Sequence, residues 1–406
     1  MRPCGAPDDG GEPPQSRITL RDMAEDYESI EKAVRLHGEA LAAVDEGRLD
    51  RARSLATEAL ELFERESGAR HPDVANVLNC LTVVHTHQAD YPRAEACSRR
   101  SVEIMREVRA QADGADLDRL YVQSLTGLGN TVRALGRYAD AEPVLQEALT
   151  LAEVALGEDD EDLVAALNSL GMLYKYSGRF HEAAALYDRA IQLAERIHGP
   201  DHVSLASLLH NVGGLHHARG EYATGEPPAR RSVELRERAL GEDHPVVAAD
   251  VAALAALVDG QGRHDEAAQM YRRVLAIFER AYGPDHYEIA INLNNLAGVL
   301  DAQGHADEAE ALYRRALAIK EALFGTDHPD VAMTLNNLAL LLAGTGRGEA
   351  AEPLYERALH IFTSALERGH PKIRACVDNY AALLRERGRG AAARTLERTH
   401  GVPSAS

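Results

Sequence analysis

A glycine recurs every 42 residues along most of this 406-residue chain, and that period constrains the fold more than any other feature. The glycines are Gly136, Gly178, Gly220, Gly262, Gly304, Gly346 and Gly388, and an alanine stands five residues after each of them except Gly220. A fixed period between about 20 and 50 residues is typical of a protein built from stacked repeats. We therefore predict about nine repeats over residues 20–400 rather than two or three globular domains.

Each repeat is predicted to form two helices separated by a short turn. Within residues 289–324, Leu293, Leu296 and Leu300 follow the spacing of one helix face. Gly304 breaks this pattern where a turn is needed, and a second periodic stretch follows. Aromatic residues are only 5% and Trp is absent, so Ala and Leu supply most of the apolar content. Small side chains let helices pack closely, and the sequence predicts an all-α fold.

The repeat resembles the tetratricopeptide (TPR) repeat. The resemblance rests on LNNLA segments at 293–297 and 335–339, a DHPDVA segment at 327–332, and the spacing of Gly304 and Tyr313. The 42-residue form is similar to the TPR domain of kinesin light chains and their many bacterial relatives. A high content of Ala, Arg and Gly favours a bacterial source. The resemblance implies a right-handed α-solenoid of about nine helix-turn-helix repeats.

We expect the chain to divide into three segments. Residues 1–18, which are rich in Pro, Gly and Asp, are predicted to be a flexible N-terminal tail. Residues 19–398 are predicted to form the TPR solenoid, with the last helix as its C-terminal cap, and 399–406 a second flexible tail. The helix predicted over 221–240 contains one glycine and two adjacent prolines, so we expect it to be short or frayed.

Charge and composition exclude several classes of function. The chain carries 44 Lys and Arg against 64 Asp and Glu, and the formal net charge of −20 argues against binding to nucleic acid. No apolar run reaches the roughly 18 residues of a membrane span. The N-terminal segment has no apolar core, and the four cysteines form no CxxC pair. We therefore expect a cytoplasmic protein with no membrane or nucleic-acid partner.

The sequence predicts neither an enzyme nor a metal protein. Six of the 18 histidines stand in one column at the junctions between repeats, spaced a repeat or more apart rather than clustered. These are His71, His202, His244, His286, His328 and His370. No HExxH, Walker-type, GxSxG or GxGxxG pattern occurs. We expect no cofactor, no metal site and no catalytic residue.

The first helices of the repeats are expected to line a concave groove. The TPR resemblance implies groove positions that precede, flank and follow the Leu-x2-Leu pair, and these form one stripe on each helix. Polar side chains recur in the stripe at Asn76, Asn79, Gln123, Asn130, Asn168, His210, Asn211, Asn294, Asn295, Asn336, Asn337 and Asn379. A ladder of amides suits the main chain of an extended peptide. The alternative is that each Asn bonds the neighbouring repeat and holds the stack in register.

Two basic residues of the stripe define the most specific prediction. Arg133 and Lys175 occupy equivalent positions in neighbouring repeats, whereas the rest of the stripe is nearly neutral. We expect them to hold an acidic residue of a segment lying across repeats three to five; the alternative is a solvated pair of charges. The predicted peptide-binding residues are Asn130, Arg133, Asn168, Lys175, Asn211, Asn295, Asn337 and Asn379.

The sequence favours a protein-interaction scaffold or adaptor that binds an extended peptide segment of a partner in the Asn-lined groove. Two alternatives stay open: a structural solenoid that assembles with copies of itself, and a regulatory subunit of a multi-protein effector system. The sequence does not indicate which partner binds, nor whether repeats three to five or seven to nine form the main groove.

Overall fold

The computed structural model describes residues 20–401, with side chains from residue 27 onward. Over this range the chain forms 18 α-helices and no strand, which confirms the predicted all-α fold. The helices are α1 (Leu20–Asp45), α2 (Leu49–Glu66), α3 (Pro72–His87), α4 (Tyr91–Arg109), α5 (Ala115–Ala134), α6 (Tyr138–Ala155), α7 (Glu161–Tyr176), α8 (Phe180–His198), α9 (Leu205–Ala218), α10 (Tyr222–Leu240), α11 (Pro245–Gly260), α12 (His264–Tyr282), α13 (Tyr287–Ala302), α14 (Ala306–Phe324), α15 (Pro329–Gly344), α16 (Gly348–Ala365), α17 (Pro371–Glu386) and α18 (Gly390–His400). The tail predicted at 1–18 lies outside the described residues, as do residues 402–406 of the second tail.

Odd-numbered helices are the first helices of their repeats, and even-numbered helices are the second. The chain divides into two compact units, residues 1–177 and residues 178–406. In the first unit, α1 to α6 each pack against the next helix, and α3 and α7 both contact α5. In the second unit, α8 to α18 pack in the same order, and successive first helices such as α9 and α11 also touch. Contacts between sequence neighbours are the pattern of an α-solenoid.

The periodic glycines occupy the turn between the two helices of a repeat. Gly136 and Gly304 have φ angles of 76° and 84°, a left-handed conformation that side chains disfavour. The alanine five residues later lies inside the core, and Ala141, Ala267 and Ala309 are fully buried. Because alanine adds little bulk, the two helices of a repeat can approach closely at this point. The predicted turn and the predicted helix crossing are both confirmed.

Helix α10 is complete, so the expectation of a short or frayed helix in the fifth repeat is wrong. It continues for 19 residues through Pro227 and Pro228. Gly225 lets α10 lie tightly against its neighbours, since a Cβ atom there would stand 2.8 Å from Leu257 Cδ2. The buried Ser232 hydroxyl then donates to a main-chain carbonyl of α9 at 2.8 Å. These tertiary contacts outweigh the two N–H groups that the prolines lack.

Five of the junction histidines are N-caps of first helices. Their Nδ1 atoms accept a hydrogen bond from the main-chain N–H two residues later, at 3.1 to 3.3 Å, in His71, His244, His286, His328 and His370. His202 makes the same contact before α9. Ser, Thr, Asn and Asp are the usual residues in this role. We did not predict the role, although a proline directly follows four of these histidines and already placed their rings before the first helical residue.

Candidate peptide-binding surfaces

The predicted site residues lie on first helices in both units. Asn130 and Arg133 belong to α5, and Asn168 and Lys175 belong to α7, all in the first unit. The second unit holds the rest, which are Asn211 on α9, Asn295 on α13, Asn337 on α15 and Asn379 on α17. Two groups of contacts emerge. We call Arg133, Lys175 and Tyr176 the basic cluster. We call Asn294, Asn336, Asn337 and Asn379 the amide chain.

The basic cluster places two cations beside one aromatic ring. The Arg133 guanidinium carbon lies 5.3 Å, and the Lys175 Nζ atom 4.9 Å, from the centre of the Tyr176 ring. A cation near an aromatic face is attracted by the electronegative ring. The Tyr176 side chain is 54% exposed, so a ligand can reach the cluster. The repeat therefore brings the two predicted basic residues together.

Lys175 has no counter-ion. Its half-buried side chain forms no hydrogen bond and no ion pair with any residue in the described range. Burial, followed by repulsion from Arg133, lowers the pKa of the Lys175 amine to about 8. Arg137, only four residues beyond Arg133, instead contacts Glu95 at 2.9 Å. A half-buried cation that lacks a partner in a chain of net charge −20 is suited to an anionic ligand.

Asn130 links two repeats and keeps one unused acceptor. Its Nδ2 atom donates to the Ser169 hydroxyl at 3.0 Å, which connects α5 to α7. Its Oδ1 atom is buried and accepts no hydrogen bond from the residues that the structure describes. Asn130 lies one helical turn before Arg133, on the same helix face. Asn168, on α7, is half-buried. Asn130 thus bonds the neighbouring repeat, as expected if the asparagines hold the stack in register, and its Oδ1 atom stays available as an acceptor.

The amide chain joins three successive first helices of the second unit. Asn379 Nδ2 donates to Asn336 Oδ1 at 3.3 Å, from α17 to α15. Asn337 Nδ2 donates to Asn294 Oδ1 at 3.3 Å, from α15 to α13. Asn336 Nδ2 connects the two bonds by donating to Asn337 Oδ1 at 3.4 Å. An amide carries two donor hydrogens and an oxygen with two lone pairs, so each side chain retains capacity for a ligand.

Asn295 and Asn211 take part in helix packing. Asn295 on α13 forms a side-chain hydrogen bond with the Tyr271 hydroxyl of α12. Asn211 on α9 is only 8% exposed. Both positions therefore contribute to contacts within the second unit, whatever else they bind.

A buried ionic network in the second unit was missed by sequence reasoning. The Asp250 carboxylate is almost fully enclosed on α11. It accepts from Arg236 at 2.6 Å and from the Ser232 hydroxyl at 2.7 Å, and the His210 Nδ1 atom lies 2.7 Å away. The signal was present, because an aspartate stands within the Ala- and Leu-rich stretch of α11. Pairing of this kind is what permits a carboxylate in a core.

The described residues contain neither a metal-binding cluster nor a membrane-spanning helix. Within residues 20–401, no three His, Cys, Asp or Glu side chains come close enough together to hold a metal ion. Among the described helices, none combines the length and hydrophobicity that crossing a bilayer requires.

Stacked helix pairs and polar first helices define a class of protein: an α-helical repeat scaffold, a fold of the protein-interaction type rather than the catalytic type. The tetratricopeptide repeat model matches seven segments of the chain. They are residues 31–107, 120–195, 164–226, 204–280, 253–322, 303–364 and 330–399. The chain belongs to the tetratricopeptide repeat family.

Solved structures provide a second comparison. The quorum sensor NprR from B. thuringiensis, in its apo form, is 13% identical with a TM-score of 0.60 over 93% of this chain and 98% of that chain. A Rap protein complexed with competence and sporulation factor is 14% identical, with a TM-score of 0.57 over 81% and 97%. Repeats of a putative kinesin light chain from Podosopora anserina are 22% identical, with a TM-score of 0.42 over 48% and 93%. No curated protein matches the chain.

Proposed function

We propose that this protein is a scaffold or adaptor that binds an extended peptide segment of a partner through its first helices. The basic cluster receives an acidic group of that segment. The observation that carries the proposal is Lys175, a half-buried amine beside Arg133 with no counter-ion in the described residues. A carboxylate on the ligand would supply the missing charge, and it would gain a charge-assisted hydrogen bond.

Neighbouring polar atoms support an extended main chain at this place. The buried Oδ1 atom of Asn130 lacks a donor among the described residues and lies one helical turn from Arg133. A peptide N–H group can satisfy that acceptor, and doing so removes the cost of leaving a buried polar atom unpaired. The exposed Tyr176 ring offers an apolar surface beside the charges.

The amide chain supports a second contact region of the same kind. Asn337 and Asn379 hold neighbouring repeats together and keep unused donors and acceptors. Leu340, three residues after Asn337 on α15, is 48% exposed and offers an apolar contact. Among proteins of similar fold, the Rap protein was solved with a bound factor, and NprR is a quorum sensor. Ligand binding is thus compatible with this fold.

A selection experiment tests the acidic-peptide proposal. The full chain is used to select binders from a random peptide library, in parallel with an Arg133→Glu/Lys175→Glu variant. We expect the wild-type binders to share an acidic residue and to lose about tenfold or more in affinity for the variant.

The matched control is Arg35→Glu/Arg51→Glu. These two exposed arginines of the first unit form no ion pair with another described residue, and their reversal changes the net charge by the same amount. Retained affinity in the control would assign the loss to the basic cluster. Equal affinity for the cluster variant and the wild type would refute the proposal.

A second candidate function is self-association. Its support is the exposure of large apolar side chains, 82% for Val154 and 48% for Leu340. Light scattering over a hundredfold concentration range distinguishes this candidate, because only a self-assembling chain gains mass as concentration rises.

A further inference from the structure

The junctions between repeats in the second unit carry a recurring aspartate. Four of these junctions have the sequence Gly-x-Asp-His, and their aspartates are Asp201, Asp243, Asp285 and Asp327. The four positions are equivalent, each 42 residues after the one before. A difference between their ion-pair partners therefore comes from the neighbouring repeat and not from the junction itself.

The first two aspartates hold arginines of the following repeat. Asp201 forms an ion pair with Arg231, and a guanidinium nitrogen of Arg238 lies 3.8 Å from its Oδ1 atom. Asp243 pairs with Arg280 at 2.7 Å. Arg238 and Arg280 are equivalent residues in the last turns of α10 and α12. The junction aspartate can therefore hold a guanidinium group at the surface of the protein.

The other two aspartates lack this arginine. The counterparts of Arg280 in the next two repeats are Ala322 and Ser364, and both are exposed. Asp285 and Asp327 are exposed as well, and their carboxylates form no ion pair and no hydrogen bond with any residue that the structure describes. Both junctions thus keep the carboxylate and omit the cation that pairs with it at the earlier junctions.

The arginines closest to these two junctions are paired with glutamates. Arg315 contacts Glu279 at 2.6 Å, and Arg357 contacts Glu321 at 2.6 Å. Each of these arginines also donates to a main-chain carbonyl group of a junction, but neither reaches the junction aspartate. The charges of the two aspartates are therefore left for a group from outside the described chain.

The same two junctions expose an aromatic ring. Tyr282 ends α12 and is 47% exposed, and Phe324 ends α14 and is 41% exposed. The Tyr282 ring stacks on His286 with ring centres 4.3 Å apart, and the Phe324 ring stacks on His328 at 4.6 Å. The Tyr287 ring meets the Phe324 ring edge-on at 5.2 Å. The two junctions therefore form one continuous surface with two exposed rings and two exposed carboxylates.

We call Tyr282, Asp285, Phe324 and Asp327 the aromatic edge, and we infer that it binds an arginine-bearing segment of a partner protein. A guanidinium group of the segment pairs with the aspartate of each junction, as the chain's own arginines do at the earlier junctions. The exposed ring of the same junction attracts the flat face of that guanidinium. Arginine suits this surface better than lysine, because a planar guanidinium can stack on a ring and can form two parallel hydrogen bonds to a carboxylate.

The charge around the aromatic edge favours a cationic partner. The chain has a net charge of −20, which attracts a basic segment during its approach. His286 and His328, which support the two rings, add no positive charge while their Nδ1 atoms accept main-chain hydrogen bonds. The aromatic edge belongs to the second unit and the basic cluster to the first, so this inference does not depend on the proposed binding of acidic peptides.

The test titrates the full chain with a labelled peptide of alternating arginine and glycine and follows fluorescence anisotropy. We expect Asp285→Asn/Asp327→Asn to weaken binding about tenfold, because both carboxylates are lost. Ala322→Arg/Ser364→Arg should weaken binding by a similar factor, because it supplies each aspartate with an internal partner. A peptide of alternating lysine and glycine should bind the wild-type chain about threefold more weakly than the arginine peptide.

The matched control is Asp45→Asn/Asp113→Asn. These two aspartates of the first unit are exposed and form no ion pair within the described range, and their substitution changes the net charge by the same amount. Retained affinity in the control, together with the loss in both variants of the aromatic edge, supports the inference. An equal loss in the control would overturn it, because the peptide would then respond to the net charge alone.

The two rings are tested by a Tyr282→Ala/Phe324→Ala variant, which should bind the arginine peptide about threefold more weakly. Unchanged affinity in this variant would overturn the role of the rings. Light scattering tests a second copy of the chain as the occupant. A wild-type chain that ignores the arginine peptide but gains mass with concentration, and loses that gain in the ring variant, would overturn the inference. Urea denaturation verifies that each variant is folded.

Discussion

The basic cluster and the amide chain are built on equivalent faces of first helices, yet they differ in how far their polar groups satisfy one another. In the amide chain, Asn336, Asn337 and Asn379 share donors and acceptors within the protein. In the basic cluster, Arg133 and Lys175 carry the same charge and lie beside the same ring. The first arrangement stabilises the stack, whereas the second leaves the half-buried Lys175 amine without an ion-pair partner among the described residues.

The largest effect is expected on the affinity for acidic peptides, when one charge of the basic cluster is reversed. A Lys175→Glu substitution replaces the Lys175 amine by a carboxylate beside Arg133, so the basic cluster no longer attracts a negative charge. We expect acidic-peptide affinity to fall about tenfold to a hundredfold, while the free energy of unfolding rises by up to about 1 kcal/mol. Peptide titration and urea denaturation measure the two changes. Lys175→Arg, which keeps the charge, should retain binding; a stable Lys175→Glu protein that binds normally would contradict the comparison.

The next effect concerns the stability contributed by the amide chain. An Asn337→Ala substitution removes two hydrogen bonds, the one that the Asn294 Oδ1 atom accepts and the one that the Asn336 Nδ2 atom donates. We expect the free energy of unfolding to fall by about 1–2 kcal/mol. Asn76→Ala is the control, because Asn76 is an exposed asparagine of the first unit without a hydrogen bond to a described residue. If urea denaturation shows equal losses for both variants, the amide chain does not hold the repeats together.

A smaller effect on peptide affinity is expected when the pH is raised, and only for binding at the basic cluster. The folded-state pKa of Lys175 is about 8, below its ordinary value, so the folded chain disfavours the proton. An acidic ligand favours the protonated amine, and above pH 8 binding must take up a proton. We expect affinity to fall about threefold to tenfold between pH 7 and pH 9, measured by peptide titration. Lys175→Arg should abolish this dependence, and a decline that survives in that variant would assign the titration to another group.

The smallest effect is expected on the free energy of unfolding, when the N-cap residue of a first helix is replaced in either region. The N-cap of helix α15 is His328, whose Nδ1 atom accepts from the Asp330 N–H at 3.2 Å. The N-cap of helix α7 is Asp160, which accepts from the Asp162 N–H at 2.9 Å and also binds Arg119. We expect His328→Ala to lower the free energy of unfolding by about 0.5–1 kcal/mol, and Asp160→Ala to lower it more.

His181→Ala is the control for that measurement, because His181 is exposed on α8 and caps no helix. Thermal or urea denaturation should show almost no change for it. If His328→Ala were equally silent, the junction histidines would not function as caps.

Much of the fold was predictable because the period of 42 residues is visible in single residue types. A left-handed turn favours glycine, and a close helix crossing favours alanine, so Gly304 and Ala309 mark two parts of a repeat directly. Helix propensities gave a wrong prediction at Pro227 and Pro228, because packing around Gly225 keeps α10 helical. That packing depends on residues far away in sequence, which propensities do not include.

The candidate site was less predictable, because its properties depend on what surrounds each side chain. The repeat placed Arg133 and Lys175 at equivalent positions, and the structure confirms that they are neighbours. The sequence could not show that Lys175 lacks a counter-ion, since that depends on where every nearby carboxylate lies. It also could not decide between ligand binding and register for Asn337, because side-chain rotamers determine which amide it meets.

The 42-residue spacing of the amide chain has an evolutionary consequence. Asn336 is the counterpart of Asn294 one repeat later, and Asn379 is the counterpart of Asn337. Deleting the whole eighth repeat would therefore bring Asn379 opposite Asn294, and the lost hydrogen bond would re-form between new partners. Removal or addition of one whole 42-residue repeat is therefore expected to keep this kind of junction contact, because each repeat contacts only its neighbours.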